Sequence, residues 1–206
     1  SGKTTILSLI CRNYDIQKGQ ILIDGIDIKK IKIASLRRHF GQMSQDVFLF
    51  SGTIRENILW GNENATDDDI YSALETAQAL DVVMKKDVKL DHLIEQSGRN
   101  LSGGQRQRLT IARALVKKPQ VLILDDSSSA LDYATDSALR KAIAESTDGT
   151  TVFIVSQRAS SVMNADQIIV LDDGEAVGIG THEELLATCD IYSEIYHSQF
   201  KKGVEQ

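Results

Sequence analysis

Val121-Leu122-Ile123-Leu124 is an unbroken apolar run, with Pro119 just before it and the paired acids Asp125-Asp126 just after. A strand with one wet face alternates apolar and polar residues. A run without alternation is what a strand covered on both faces requires. Patterns of helical period lie on either side of it, so the expected architecture is α/β, a sheet layered with helices. At 206 residues, 42% hydrophobic and 25% charged, the chain can build one sizeable core of ordinary soluble composition.

The rest of the chain reads as short elements. Ile6, Leu7, Leu9 and Ile10 follow Lys3 at helical spacing. Lys18-Gly19 marks a turn, Gln20 to Gly25 a short strand and turn, and Ala34 to Arg38 a short helix. Gln42 to Ser44 leads into a loop at Gln45. Thr66 to Asp69 opens a helix with acids in its first turn, and Ile70, Ala73, Leu74, Ala77 and Leu80 give it one apolar face. Beyond Val121 to Leu124 come a helix over Thr135 to Glu145 and a strand over Thr151 to Val155. A strand pair follows, Asp166 to Leu171 and Glu175 to Ile179, around Asp172-Asp173-Gly174. Thr181 and Glu184 form a capping box.

Leu101 to Arg108 reads L-S-G-G-Q-R-Q-R. Ser102 and Gln105 have the S-x-x-Q spacing of a capping box, so a helix starts here. Gly103 and Gly104 leave the first backbone N–H groups uncovered by side chains. Such an N-terminus carries unpaired donors and partial positive charge, which suits a phosphate. The helix is expected to end with Lys117 and Lys118 in its last turn.

The net charge of −6 weighs against a nucleic-acid partner. Cys11 and Cys189 match no metal spacing and point to structural cysteines in a reducing compartment. No apolar run approaches the roughly 18 residues of a membrane span, and no signal-peptide pattern is present. Ser1-Gly2-Lys3-Thr4-Thr5 matches only the end of a phosphate loop, G-x-x-x-x-G-K-[ST]. The first glycine and the strand feeding the loop are missing, so the chain reads as the C-terminal piece of a longer polypeptide.

Five stretches, in order, resemble the motifs of ATP-binding-cassette (ABC) ATPases. Ser1 to Thr5 resembles the end of Walker A, Gln45 the Q-loop glutamine, and Leu101-Ser102-Gly103-Gly104-Gln105 the signature motif. Val121 to Asp125 resembles Walker B, and Ser129-Ala130-Leu131-Asp132 the D-loop. The resemblance implies a P-loop NTPase (RecA-like) core over residues 1–52 and 119–206, lacking its N-terminal strands. An α-helical subdomain is inserted at 53–118. It implies ATP and Mg²⁺ as ligands: Ser1, Gly2, Lys3, Thr4, Thr5 and Gln45 bind the nucleotide, and Thr4, Gln45 and Asp125 hold Mg²⁺. Leu101 to Gln105 meet the ATP of a second such domain, with Ser129 and Asp132 coupling the two sites.

Two positions depart from the family pattern. Asp126 stands where competent members carry a glutamate that polarises the attacking water, and Gln157 where they carry a switch histidine. Aspartate is one methylene shorter, and a general base must come within about 2.6–3.2 Å of its proton. Glutamine can hydrogen-bond a phosphate but carries no charge. Both catalytic positions therefore point to a degenerate site that hydrolyses slowly, in a heterodimer whose partner supplies the missing groups. The signature motif would complete the partner's site.

Phe48-Leu49-Phe50-Ser51-Gly52-Thr53-Ile54-Arg55-Glu56-Asn57-Ile58 resembles the exporter segment that meets transmembrane coupling helices. Glu95 resembles the acid of the exporter X-loop, although Glu95 to Arg99 departs from its usual spacing. The expectation is an exporter ATPase on the cytoplasmic face of the cell membrane, weak or inactive as this piece alone. A non-hydrolysing regulatory or scaffold module is the alternative. A DNA-repair ABC ATPase is disfavoured, because residues 46–100 leave no room for its long coiled coil.

Overall fold

The computed structural model describes residues 2–127, 129–147 and 149–200. In chain order, α1 (Lys3–Ile10) is followed by a tight hairpin of β1 (Leu22–Ile23) and β2 (Ile26–Asp27). Asp24 and Gly25 fill its turn, both at positive φ, a conformation that aspartate and glycine tolerate. Next come α2 (Ile33–Arg38) and β3 (Phe40–Met43). β4 (Gly52–Thr53) runs into α3 (Ile54–Leu59), which Thr53 and Glu56 close with a reciprocal capping box.

α4 (Asp67–Thr76) opens on a Thr66–Asp69 capping box. The apolar face expected to run on to Leu80 is split. Gln78 takes a left-handed φ of 55° and Ala79 N donates to Leu74 O at 2.7 Å. This is a 6→1 helix-terminating bond, and Leu80 starts a separate helix, α5 (Leu80–Met84). β5 (Leu93–Ile94) pairs with β4.

α6 (Gly103–Leu115) starts on the expected Ser102–Gln105 box. It ends earlier than expected: Lys117 and Lys118 lie beyond its last turn, and Lys118 has a φ of 49°. A residue before proline is pushed out of the helical region by the proline ring, so Pro119 halts the helix upstream. β6 (Val121–Asp125), α7 (Tyr133–Ser146) and β7 (Thr151–Val155) follow. The chain then forms the hairpin β8 (Ile168–Asp172) and β9 (Glu175–Gly180). α8 (His182–Thr188), with the expected Thr181–Glu184 box, and α9 (Asp190–Phe200) complete it.

β3, β6 and β7 form a parallel sheet with β6 in the middle. Its residues alternate between two apolar clusters. Leu122 and Leu124 join α3 to α7 in the largest cluster, through Ile58, Leu74, Val83, Ile111 and Leu139. Ile123 joins Leu7, Cys11, Leu36 and Phe40 on the other face, with α1 and α2. β6 is thus covered on both sides, which is what its unbroken apolar run requires. Each large aliphatic side chain so buried contributes about 1.5–3 kcal/mol. A third cluster, Ile168, Val170, Leu185, Cys189 and Tyr192, packs α8 and α9 on the β8–β9 hairpin. Cys11 and Cys189 are free and buried. Among the described residues no helix is long and apolar enough to cross a membrane.

Candidate functional site

The register of the sheet determines what meets at its edge. Met43 pairs with Leu124 and Leu124 with Ile154, while Asp125 pairs with Val155. The three strands therefore end together. Neighbouring strands lie about 4.8 Å apart, so Gln45, two residues past β3, and Gln157, two residues past β7, leave the sheet on either side of Asp125 and Asp126. In open α/β sheets the carboxyl edge of the strands is where ligands bind.

Asp125 is 3% exposed, and no described group donates a hydrogen bond to its carboxylate. A nearly buried carboxylate without a donor suits a hard cation. Among the described residues no three His, Cys, Asp or Glu side chains converge as a metal site. An ion here would take few protein oxygens and complete its shell with water and phosphate, the habit of Mg²⁺.

Asp126 has a left-handed φ of 53°. Its N–H donates to Val155 O at 2.9 Å. Its carbonyl accepts from Gln107 Nε2 at 3.0 Å and from Ser129 Oγ at 3.1 Å. Gln157 is exposed, but its backbone is fastened: Gln199 Nε2 donates to Gln157 O at 2.7 Å, and Gln199 Oε1 accepts from Ala159 N at 2.8 Å. Arg158 next to it donates to Leu131 O at 3.2 Å.

Gly2 is the N-cap of α1 at φ 83°, and Ile6 N donates to its carbonyl at 3.1 Å. Lys3, Thr4 and Thr5 form the first turn, with Thr4 and Thr5 exposed and no acid among them. Ser1 lies outside the described residues. α1 packs on the sheet through Leu7 and Cys11, which share a cluster with Phe40 and Ile123.

In the signature segment Leu101 is buried in the main cluster. Ser102 Oγ accepts from Gln105 N at 3.2 Å, and Gln105 Oε1 accepts from Ser102 N at 2.9 Å. Gly103 and Gly104 occupy the first turn. A Cβ on Gly104 would sit 3.0 Å from Ala130 O, so this glycine also permits close contact with the segment after β6. Asp132 caps α7, accepting from Thr135 N at 2.9 Å and from its hydroxyl at 2.8 Å. Those bonds hold its carboxyl below the usual range. Glu95 accepts through no side-chain cap of its own; its N–H donates to Asn100 Oδ1 at 3.1 Å.

Phe48, Phe50 and Trp60 form an exposed ledge, with Trp60 67% exposed. Phe50 stacks on Trp60 at 4.4 Å between centroids, and Phe48 meets Phe50 edge-on at 4.9 Å. The buried Leu49 between them anchors the segment.

Gln107 and Arg158 also hold the site, although no motif marks either. Gln107 carried a signal: it is polar yet shares the buried helix face of Thr110, Ile111 and Ala114. Arg158 carried none, because its partner is a backbone carbonyl 27 residues away.

A parallel sheet covered by helices, an acid pair at its carboxyl edge and a glycine-opened helix define a P-loop-type nucleotide-binding domain. Residues 1–129 match the family described as ABC transporter. The chain is 48% identical over all its 206 residues to the uncharacterized ABC transporter ATP-binding protein YfiB of Bacillus subtilis (strain 168), covering 36% of that protein. It is 43% identical over 201 residues, 97% of the chain and 34% of the relative, to the ATP-dependent lipid A-core flippase of Pectobacterium atrosepticum. The solved structure of a bacterial Atm1-family ABC exporter with ATP bound superposes with a TM-score of 0.92 at 36% identity, over 97% of this chain and 35% of that one. The chain belongs to the ABC transporter family, as a nucleotide-binding domain of the exporter type. It spans about a third of the length of these relatives.

Proposed function

We propose that this chain binds and hydrolyses ATP to drive export across a membrane, and that its own site is degenerate. The observation that carries the reading is the shared strand edge, where Asp125 and Asp126 emerge between Gln45 and Gln157. Gly2, Lys3, Thr4 and Thr5 hold the phosphates, with the Lys3 ammonium neutralising oxygens and Gly2 allowing close backbone approach. Thr4, Gln45 and Asp125 hold Mg²⁺, which supplies charge neutralisation at the phosphates when bound. Asp126 orients the attacking water from a shorter arm than a glutamate, and Gln157 offers a neutral hydrogen bond to the γ-phosphate. A well-placed proton-transfer group is worth about 10²–10⁴ in rate, so turnover in this site is slow.

Residues 53–118 act as a helical subdomain on a core of 1–52 and 119–206. Ser102, Gly103 and Gly104 reach the γ-phosphate bound to a second nucleotide-binding domain, a different chain carrying the glutamate and histidine. Ser129 and Asp132 couple the two sites. The aromatic ledge of Phe48, Phe50 and Trp60 receives the coupling helices of a transmembrane domain, and the chain works at the cytoplasmic face of the membrane. The names of the flippase and exporter relatives support the transport assignment.

Steady-state ATP hydrolysis by the full-length parent, alone and with a candidate partner half-transporter, tests the reading. Activity only with the partner is the expected result. Robust activity alone overturns the degenerate heterodimer, and no turnover in either case favours a non-hydrolysing regulatory module.

A further inference from the structure

Gln107 is 0% exposed, and both ends of its amide are used. Nε2 donates to Asp126 O at 3.0 Å and to Ser129 Oγ at 3.2 Å, while Oε1 accepts from Ala130 N at 3.0 Å. An amide side chain can donate and accept at once, and glutamine carries its amide one methylene further out than asparagine. Asp126 sits in the left-handed region, which costs a non-glycine residue free energy and persists where neighbours over-determine it. Here its N–H is held by β7 through Val155, and its carbonyl by α6 through Gln107. A second contact joins the same two segments, because Gly104 brings the α6 backbone against Ala130 O.

We infer that Gln107 is a positioning residue, one that ties the signature helix to the loop carrying Asp126. The inference rests on the ATPase reading above. Ser102 and Gln107 are five residues apart on one helix, about 7.5 Å along its axis. Helical backbone does not stretch over that distance, so a shift of the capped N-terminus on meeting a phosphate is carried to the carbonyl of Asp126. The segment serving the partner's nucleotide and the acid serving this chain's own nucleotide then move as one body. Coupling of this kind is a shared element whose position both sites bias.

The test uses the full-length transporter with its partner and two variants. Gln107→Met keeps the volume and removes every hydrogen bond. Gln107→Glu keeps the acceptor for Ala130 N–H but sets a carboxylate against the Asp126 carbonyl. Binding of the fluorescent analogue trinitrophenyl-ATP should stay within about twofold of wild type, while kcat falls at least tenfold and KM moves less than threefold. A merely structural role would lower the thermal midpoint and leave kcat per folded, nucleotide-binding molecule unchanged, and that result overturns the inference. So does failure of both variants to fold. If wild type itself shows no hydrolysis with any partner, the ATPase reading falls first. If wild type is active and both variants match it, only the role of Gln107 is lost.

Discussion

Arg113 grips Asn57 at two points: its Nε donates to Asn57 O at 2.8 Å and its Nη2 to Asn57 Oδ1 at 2.9 Å. Asn57, 2% exposed, in turn bonds both backbone groups of Phe50 at 2.9 Å. Arg113 reaches Phe48 O as well, at 2.9 Å, and its guanidinium lies 5.6 Å from the centre of the Phe50 ring. This knot fastens the aromatic ledge to α6, and burial lowers the pKa of Arg113 from its ordinary value.

Asn57→Ala leaves the Phe50 N–H and a guanidinium N–H without partners in a largely dry setting. A cost of about 2–4 kcal/mol is expected. Urea unfolding should show a lower midpoint with an unchanged slope. A midpoint equal to that of wild type would mean that water replaces the lost bonds. Arg113→Lys should cost a similar amount, since an ammonium cannot reproduce the two-pronged geometry.

Gly41 and Gly174 should respond differently to alanine. A Cβ on Gly41 would lie 2.5 Å from Ala114 O and 2.8 Å from Pro119 Cγ. The carbonyl belongs to α6 backbone and cannot rotate away, so overpacking of about 1–3 kcal/mol or more follows. A Cβ on Gly174 meets nothing within 4 Å, but φ there is +83°, so the cost is conformational strain of about 1 kcal/mol. Thermal unfolding of the two variants should rank Gly41→Ala as the less stable, and the opposite order would refute the packing argument.

Asp69 gives a pH signature. Lys118 Nζ lies 2.6 Å from its carboxylate, and the Thr66 N–H and hydroxyl also donate to it. These hold its pKa at about 2 against the ordinary 3.8, the Lys118 bond contributing most. A carboxyl with a depressed pKa stabilises the fold above its unfolded value, and the gain is lost as pH falls through the folded one. The advantage of wild type over Asp69→Asn in urea midpoint should be constant from pH 7 to pH 5. It should shrink below pH 3.8 and vanish near pH 2. An advantage unchanged down to pH 2 would show that charge plays no part.

Asp126→Glu tests the degenerate site directly. The longer side chain restores the reach that the aspartate lacks, and hydrolysis at this chain's own site, read in the full-length transporter with the partner's catalytic glutamate replaced by glutamine, should rise about 10²-fold, further with Gln157→His. The left-handed φ of 53° suits aspartate better than glutamate, so a small drop in thermal midpoint should accompany the gain. No gain in the double variant would mean that the slow step lies elsewhere.

Local chemistry was legible from the residues alone. The buried run Val121 to Leu124, the Ser102 and Thr181 caps and the Asp173-Gly174 turn each depend on neighbours within a few positions, and each stands where expected. The break after α4 is hidden at Gln78, a left-handed residue that no glycine announces. The Thr53–Glu56 box has the same T-x-x-E spacing as Thr181–Glu184, so it too is a local feature of the residues.

What the residues by themselves determined is the set of short elements, the family motifs and the two departures at Asp126 and Gln157. Tertiary structure alone decided that β6 stands between β3 and β7, so that the loops after Met43, Asp125 and Val155 open onto one edge. It also decided that Gln107 holds the Asp126 carbonyl and that Gln199 holds the loop of Gln157. The reason is physical. Helix caps and strand periods arise from covalent neighbours, whereas strand order and the pairing of buried polar groups depend on contacts between distant segments, and no local pattern encodes those partners.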